Sequence, residues 1–244
     1  MNKQRIRGES FKQEYQAAGR HRANRKRDPS MNKTDPHLVI APQADAYQGK
    51  LVLVLDLDET LVFARSGPLY ARPGIPEFFQ MCKDEGIEVV VWTAGLKAYA
   101  QAIVANIDSC NAVSHCIYRH NKWFNGQPGY RKDLNALGRP LDKVLIVENT
   151  PDCIRGYQDN GILVADYEGG DGEDNTLYAL ADLVKLLSKS VLTVPQFVST
   201  CSMLKREPVM TDVGDYINAY TLDVNCYNPE HVRVNRDLAQ NQSH

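Results

Sequence analysis

The sequence lacks the features that mark a membrane or secreted protein. No apolar run approaches the length of about 20 residues that a membrane-spanning helix needs, so we expect no transmembrane segment. The N-terminus has no apolar stretch of the kind found in signal peptides. No C-x-x-C pair occurs, which argues against a disulfide framework or a structural zinc site and predicts a reduced intracellular protein; the cysteines lie at positions 82, 110, 116, 153, 201 and 226.

Acidic residues are scarce in the first 33 residues, where three of them accompany ten Lys or Arg. Ten minus three gives this segment a charge of +7, so the remainder carries the balance of -9 against a formal net charge of -2 for the chain. The asymmetry indicates an acidic folded body with a basic arm, which we place at residues 1–48. Within the arm, residues 9–18 have a weak pattern of a short helix.

Alternating runs of two kinds predict the architecture. Short aliphatic runs predict strands at 51–56, 87–93, 143–148 and 161–165. Apolar residues at helical spacing predict helices at 76–85, 95–106, 132–138, 151–158 and 175–188. Strands that alternate with helices are typical of βαβ units, so the predicted fold class is α/β, with a parallel sheet and helices on both faces.

Two segments depart from this alternation. Residues 113–131 carry β-forming residues around an Asn-Gly pair and predict a small antiparallel insertion. Beyond about residue 204 the chain is polar with few aliphatic residues, so we predict a folded domain at 49–204 and an extended tail at 205–244. The segment between the first two strands is short, which leaves no room for a large cap.

The stretch LVLVLDLDET, residues 51–60, carries the strongest functional signal. Its five aliphatic residues predict a strand buried on both faces, yet Asp56, Asp58 and Glu59 follow at once. Burying an isolated ionised carboxylate is very costly, so the acids at this strand end need an explanation. One alternative is structural, with Asp58 or Glu59 capping a turn.

Polar residues also follow the other predicted strands, with Thr93 after the second and Glu148–Asn149 at the third. In open α/β sheets ligands bind beyond the carboxyl ends of the strands, so these side chains are expected to share one site. Neighbouring carboxylates there repel each other unless a cation neutralises them, and Mg²⁺ suits carboxylate and phosphate oxygens. A carboxylate can also act as a nucleophile and form an aspartyl phosphate.

VLDLDETLV resembles the first motif, D-x-D-x-T, of phosphatases of the haloacid dehalogenase (HAD) superfamily. More narrowly, it resembles the NLI-interacting-factor-like small phosphatases that act on the C-terminal domain of RNA polymerase II. Three further segments resemble the remaining motifs in family order: VVVWTAGLKAYA at 89–100, YRKDLNALGRPL at 130–141 and LIVENTPD at 145–152. The resemblance spans about residues 50–190 and implies a HAD-like fold.

The resemblance implies a role for each matching residue. Asp56 would be the nucleophile and Asp58 the general acid/base. Thr93 and Lys132 would hold the phosphoryl oxygens. Mg²⁺ would be bound by the Asp56 carboxylate, the Asp58 main-chain carbonyl and Asn149.

Other matching residues have competing interpretations. Thr60 and Tyr99 would bind substrate by resemblance, although Tyr99 fits a core position on a helix equally well. Lys132 by itself would be a surface lysine, and its place in the third motif favours the catalytic role. For the aromatic residues of the predicted insertion we favour packing within the insertion over lining the site; these are Trp123, Phe124 and Tyr130.

Two residues depart from the family pattern. The fourth motif has Glu148 where the family usually has Asp, although Asn149 is kept. Phe63 stands where the family tends to have His after the first motif. These departures bear on rate and substrate more than on the fold.

Two functions from different classes fit the sequence. The first is a Mg²⁺-dependent phosphatase for phosphoserine or phosphothreonine in protein segments, and the complete D-x-D-x-T motif favours it. The second is a phosphatase-fold subunit of a large ribonucleoprotein, translocase or cytoskeletal assembly, which both tails favour. Basic residues 1–33 would then contact RNA or an acidic protein, or else serve as a solubilising tail or nuclear-import signal. A nuclear or cytoplasmic location is expected, and an Arg-rich start also fits mitochondria.

Overall fold

The computed structural model describes residues 36–64, 67–170 and 172–224. Its strands are β1 Val52–Leu55, β2 Val62–Phe63, β3 Tyr70–Ala71, β4 Glu88–Trp92, β5 Val113–Ile117, β6 Val144–Glu148, β7 Gly161–Leu163, β8 Leu204–Met210 and β9 Tyr216–Leu222. Its α-helices are α1 Ile75–Asp84, α2 Lys97–Ile107, α3 Thr176–Lys189 and α4 Val194–Thr200. Short 3-10 helices cover Asp45–Tyr47, Leu134–Leu137, Leu141–Lys143, Pro151–Ile154 and Gln158–Asn160.

A mostly parallel sheet forms the centre of this part of the chain, in the strand order β5-β4-β1-β6-β7-β9-β8. β1 lies between β4 and β6 and is parallel to both. Its residues are fully buried, with Leu53 and Leu55 in one apolar cluster and Val52 and Val54 in another. Because successive side chains point to opposite faces, a strand covered on both sides must be apolar throughout, which explains the aliphatic run.

Helices cover both faces of the sheet, as predicted, but they differ in kind. The α-helices pack into the cluster that contains Leu53; α3, for example, contributes Leu180, Leu183 and Leu187 at helical spacing. On the opposite face the 3-10 helices contribute Leu134 and Ile154. The predicted α/β class is confirmed.

The predicted antiparallel insertion at 113–131 is wrong in its position. Residues 113–117 form β5, which pairs parallel to β4, and within 118–131 the structure has turns and loops. Residues beside the Asn-Gly pair pack as an aromatic cluster instead of pairing as strands: the Trp123 ring lies 5.5 Å from that of Trp92, and Phe124 lies 4.9 Å from Tyr130. The small antiparallel sheet is formed by β2 and β3.

The predicted extended tail is also wrong as far as residue 222. β8 and β9 form an antiparallel hairpin, and β9 joins the main sheet parallel to β7. The segment is polar because β8 is an edge strand with one partner, so most of its side chains are at least partly exposed. β9 supplies the buried residues Ile217, Ala219 and Tyr220. The tail beyond residue 224 lies outside the described residues.

The boundary of the N-terminal arm at residue 48 lies too far along the chain. The Val39 amide donates to the Ala136 carbonyl at 2.9 Å, and the Arg139 guanidinium donates to the Ala41 carbonyl at 3.0 Å. The Gln43 amide donates to the buried Glu88 carboxylate at 2.7 Å. Residues 36–48 therefore dock on the folded body. The basic residues 1–33 and the predicted helix at 9–18 lie outside the described residues.

We expect two truncations to separate the docked part of this arm from the rest. Deletion of residues 1–35 leaves every described contact in place, so it should change the melting temperature less than the longer deletion does. Deletion of residues 1–48 removes hydrogen bonds worth about 1 kcal/mol each, so the melting temperature should fall by roughly 5–10 °C. Thermal unfolding of the two proteins checks this; equal melting temperatures would show that residues 36–48 contribute nothing to the fold.

None of the helices within 36–64, 67–170 and 172–224 is both long and apolar enough to cross a membrane.

Candidate active site

The topology of the sheet brings the predicted residues to one edge. After β1 the chain first adds β4 and β5 on one side of it, and then crosses over to add β6 and β7 on the other side. This reversal of strand order creates a crevice at the carboxyl end of β1, where ligands bind in open α/β sheets. The Asp56 amide donates to the Val147 carbonyl at 3.0 Å, which holds the first acid in line with the end of β1.

Lys132 lies at the centre of a buried charge cluster. Its ammonium donates to Asp56 Oδ1 at 2.7 Å, to the Trp92 carbonyl at 2.5 Å and to Glu148 Oε1. Its side chain is 1% exposed, so it is not a surface lysine. All three protons of the ammonium have acceptors, which a buried ammonium requires. The sequence predicted that Lys132 belongs to the site but not that it pairs with Glu148.

Burial and neighbouring charges set the protonation of this cluster. Burial, reinforced by the Glu148 carboxylate, raises the pKa of Asp56 to about 8 against the opposing effect of Lys132. Burial works to lower the pKa of Lys132, but the Asp56 and Glu148 carboxylates outweigh it and raise that pKa. A further cation beside Asp56 would favour its ionised form, since opposite charge stabilises the carboxylate.

Asp58 lies in a different environment. Thr93 Oγ1 donates to its Oδ2 at 3.0 Å, and the Tyr99 hydroxyl donates to its Oδ1 at 2.5 Å. The Gly95 amide donates to Thr93 Oγ1 at 2.8 Å and so fixes that hydroxyl. The carboxylate is therefore oriented from β4 and α2, across the crevice, and is not limited to capping its own turn.

The turn after β1 allows this placement. Glu59 has a φ of 66°, a left-handed conformation that is uncommon outside glycine, and its amide donates to the Val62 carbonyl at 2.6 Å. The Glu59 carbonyl in turn accepts from the Tyr167 amide at 2.7 Å. The tight turn leaves Asp56 and Asp58 at the strand end and leads the chain directly into β2.

Asn149 has partners on two other segments. Thr60 Oγ1 donates to Asn149 Oδ1 at 3.2 Å, and Asn149 Nδ2 donates to Asp166 Oδ1 at 3.0 Å. These hydrogen bonds fix the orientation of the Asn149 amide, with its oxygen toward Thr60 and its nitrogen toward Asp166. Thr60, predicted to bind substrate, thus contacts a predicted metal ligand.

The oxygens at this edge suit a hard cation. The expected set is one carboxylate from Asp56, the main-chain carbonyl of Asp58 and the amide oxygen of Asn149, all of the type that Mg²⁺ prefers. Within the part of the chain that the structure describes, no group of three or more His, Cys, Asp or Glu is arranged to hold a metal. Mg²⁺ held by these three oxygens would keep several waters and take substrate phosphate oxygens.

Two residues support the site through contacts that the sequence did not predict. Glu148, 1% exposed, accepts from the Asn149 and Thr150 amides at 3.1 and 3.0 Å through the oxygen that does not face Lys132. Arg72 is buried and donates to the carbonyls of Thr60 and Ala165, each at 3.0 Å, and so joins the loops that follow β1 and β7. Glu148 had been expected at this edge of the sheet and departs from the family pattern, whereas no feature of the sequence indicated a role for Arg72.

The other residues singled out in the sequence take part in packing. Trp123, Phe124 and Tyr130 pack against one another, in agreement with the packing interpretation. Phe63 lies in β2 beside Gly169, in the loop that follows β7.

Residues 51–195 match the family model of the NLI interacting factor-like phosphatases. The chain belongs to this family. The matched range contains every site residue described above, and the resemblance seen in the motifs is thereby confirmed. The β8–β9 hairpin begins at Leu204 and lies beyond the matched range.

Individual relatives agree with this assignment. The chain is 30% identical over 190 residues to the human carboxy-terminal domain RNA polymerase II polypeptide A small phosphatase 1, covering 67% of this chain and 72% of that protein. It is 29% identical over 170 residues to phosphatase PSR1 of Saccharomyces cerevisiae, covering 62% of this chain but 39% of that protein. The chain thus spans well under two thirds of the yeast relative. Among solved structures, a fission yeast RNA polymerase II CTD phosphatase bound to beryllium fluoride matches with 17% identity and a TM-score of 0.38, covering 62% of this chain and 54% of that one.

Proposed function

We propose that this protein is a Mg²⁺-dependent phosphatase that removes phosphate from phosphoserine or phosphothreonine in protein segments. The observation that carries the proposal is that two acids at the end of one strand lie in different environments. Asp56 faces a buried ammonium, while Asp58 accepts hydrogen bonds from two hydroxyls. Pairs of carboxylates held in different environments are the arrangement that nucleophilic and acid/base roles require.

Asp56 is the nucleophile in this proposal. Its carboxylate oxygen attacks phosphorus, the bond from phosphorus to the ester oxygen breaks, and an aspartyl phosphate forms. Asp58 gives its proton to the departing serine or threonine oxygen. In the second half, Asp58 takes a proton from water, whose oxygen attacks phosphorus and releases Asp56 and inorganic phosphate.

Thr93 and Lys132 bind the phosphoryl oxygens in this proposal, which is supported by the hydrogen bonds that their side chains donate to Asp58 and Asp56. Lys132 would exchange one of its present acceptors for a phosphoryl oxygen. Phosphoryl transfer depends mainly on such positioning and on positive charge around the equatorial oxygens. Mg²⁺, held by Asp56, the Asp58 carbonyl and Asn149, would supply further positive charge to those oxygens.

An open site supports a protein substrate. Between β1 and β4 the described chain holds the small β2–β3 sheet and α1, without a cap domain over the crevice. A protruding side chain of a macromolecule fits such a site better than an engulfed metabolite does. The human relative is named for the carboxy-terminal domain of RNA polymerase II, a protein segment, which supports the same substrate class. The basic residues 1–33 are proposed to add contacts to RNA or an acidic protein surface.

The test compares metal binding with activity. Wild-type protein should hydrolyse an aryl phosphate and a phosphoserine peptide when Mg²⁺ is present, and Mg²⁺ should raise its melting temperature. Asn149→Ala should weaken Mg²⁺ binding on the order of tenfold in both assays because an oxygen ligand is lost.

The matched control is Asn106→Ala on the exposed side of α2, whose side chain contacts the Ala102 carbonyl far from the site. It should leave Mg²⁺ binding and hydrolysis unchanged. Glu148→Asp restores the family's usual residue and should keep or raise the rate. If Mg²⁺ neither stabilises the wild type nor supports hydrolysis, the alternative of a binding subunit in a larger assembly replaces the proposal.

A further inference from the structure

A groove of about 450 Å³ opens beside Asn149. One wall is formed by the loops that follow β6 and β7, and the other by the β8–β9 hairpin. Its lining includes Asn149, Asp166, Lys205, Glu207, Val209 and Asp223. Since Asn149 is a proposed metal ligand, the groove borders the proposed metal site.

The β8–β9 hairpin is hydrogen-bonded to the loop that follows β6. The Asp212 amide, in the turn of the hairpin, donates to the buried Asp152 carboxylate at 2.6 Å. Arg155 donates to Asp152 at 2.9 Å and to both oxygens of Asp215 at 2.7 and 2.9 Å. Asp152 belongs to the same loop as Asn149, so the wall and the metal ligand are held in a fixed relation. The hairpin is also outside the region that matches the family, and therefore provides a surface that family membership does not account for.

Charge in the groove is unbalanced. Among the residues that the structure describes, three carboxylates line it, from Asp166, Glu207 and Asp223, against the single ammonium of Lys205. That ammonium contacts Glu207 at 2.5 Å while its side chain remains 68% exposed. Hydrogen bonds from Lys205 and Thr221 lower the pKa of Glu207. Apolar side chains such as Val209 and Leu222 lie between the charges, so the groove suits an aliphatic stem with a cationic end.

We propose that this groove binds the substrate chain next to the phosphorylated residue and selects a Lys or Arg there. The substrate cation takes the place of Lys205 beside Glu207 and lies near Asp223, while its stem packs along Val209. This inference rests on the proposed function, because it assumes that a phosphorylated protein segment enters the crevice.

The experiment measures kcat/KM on phosphoserine peptides that carry one Lys at each position flanking the phosphoserine in turn, with an all-alanine peptide and an aryl phosphate for comparison. Wild-type protein should prefer Lys at positions on one side of the phosphoserine. Glu207→Lys/Asp223→Lys should abolish that preference, with a loss of about five- to tenfold for the preferred peptide. Lys205→Met should strengthen the preference, since the competing cation is removed. All of these proteins should hydrolyse the aryl phosphate equally.

Glu77→Lys/Asp142→Lys is the matched control, because it reverses two exposed carboxylates outside the groove and makes the same change in net charge. It should keep the preference for Lys. A wild type that hydrolyses aryl phosphate but has no preference for Lys overturns the groove inference alone, whereas no hydrolysis of any substrate overturns the proposed function. Deletion of residues 1–35 gives the last check: if it raises activity on every peptide, the groove is occupied by the basic arm of the chain itself, and the inference is wrong.

Discussion

Asp56→Asn should reduce phosphate release by on the order of 10³-fold or more while the protein stays folded. An amide cannot form the acyl phosphate, so the first chemical step is lost. The fold should survive because Asn is close in size to Asp and because Lys132 keeps Glu148 and the Trp92 carbonyl as acceptors. Steady-state rates and thermal unfolding, measured on the same preparations, check both statements.

Asp58→Asn provides the comparison that identifies the two roles. An aryl phosphate has a good leaving group that needs little protonation, whereas a serine oxygen needs a proton to depart. Loss of the acid should therefore slow phosphoserine hydrolysis more than aryl phosphate hydrolysis, while loss of the nucleophile should slow both alike. Beryllofluoride, a mimic of the phosphoryl group, should bind the wild type with Mg²⁺ and not Asp56→Asn. Turnover of Asp56→Asn within tenfold of the wild type would show that Asp56 is not the nucleophile.

Lys132→Met should lower both activity and stability. The substitution leaves the Asp56 and Glu148 carboxylates buried without the ammonium that both contact. Breaking a buried ion pair by removing one partner costs about 3–5 kcal/mol. The rate should fall at least 10²-fold in addition, because a donor to the phosphoryl oxygens is lost. Urea unfolding at neutral pH measures the loss of stability, and aryl phosphatase assays measure the loss of rate.

A double variant separates the two effects. Lys132→Met/Glu148→Gln removes one of the stranded carboxylates, so it should regain part of the stability and none of the activity. Lys50→Met, at an exposed position away from the site, is the control for loss of a positive charge. If Lys132→Met unfolds at the same urea concentration as the wild type, the charge cluster does not support the fold.

The sequence predicted that most of the candidate residues lie together, because parallel strands deliver the residues that follow them to one edge of the sheet. Asp56, Thr93 and Asn149 each follow an aliphatic run, so the strand pattern alone indicated that they meet. The pairing of Lys132 with Glu148 could not be predicted in this way, because it depends on how a loop returns over the end of β6. Arg72 was beyond prediction for the same reason, since its acceptors lie on loops far apart in sequence.

The incorrect predictions of the fold concern segments at the periphery of the sheet. An edge strand has one strand partner, so its side chains need not be apolar and the alternation that predicts a strand is weak. β8 was interpreted as extended polar chain for this reason. Residues 36–48 contain no strand; they dock through hydrogen bonds such as the one from Gln43 to Glu88, which leave no apolar pattern in the sequence. The Asn-Gly pair at 125–126 lies in a loop with a bend at Gly126, and the aromatic residues around it pack against Trp92 and one another instead of across a hairpin.

The position of β9 has a consequence for how the protein is made. β7 obtains its second neighbour from residues 216–222, which are synthesised long after the other strands of the parallel sheet. Chains begin to fold from the N-terminal side during synthesis, so on the ribosome β7 is an open edge with unpaired backbone groups until β9 emerges. A message that terminates before residue 204 would therefore yield a chain that has all the proposed catalytic residues and an unpaired sheet edge, and that is prone to associate with its own copies.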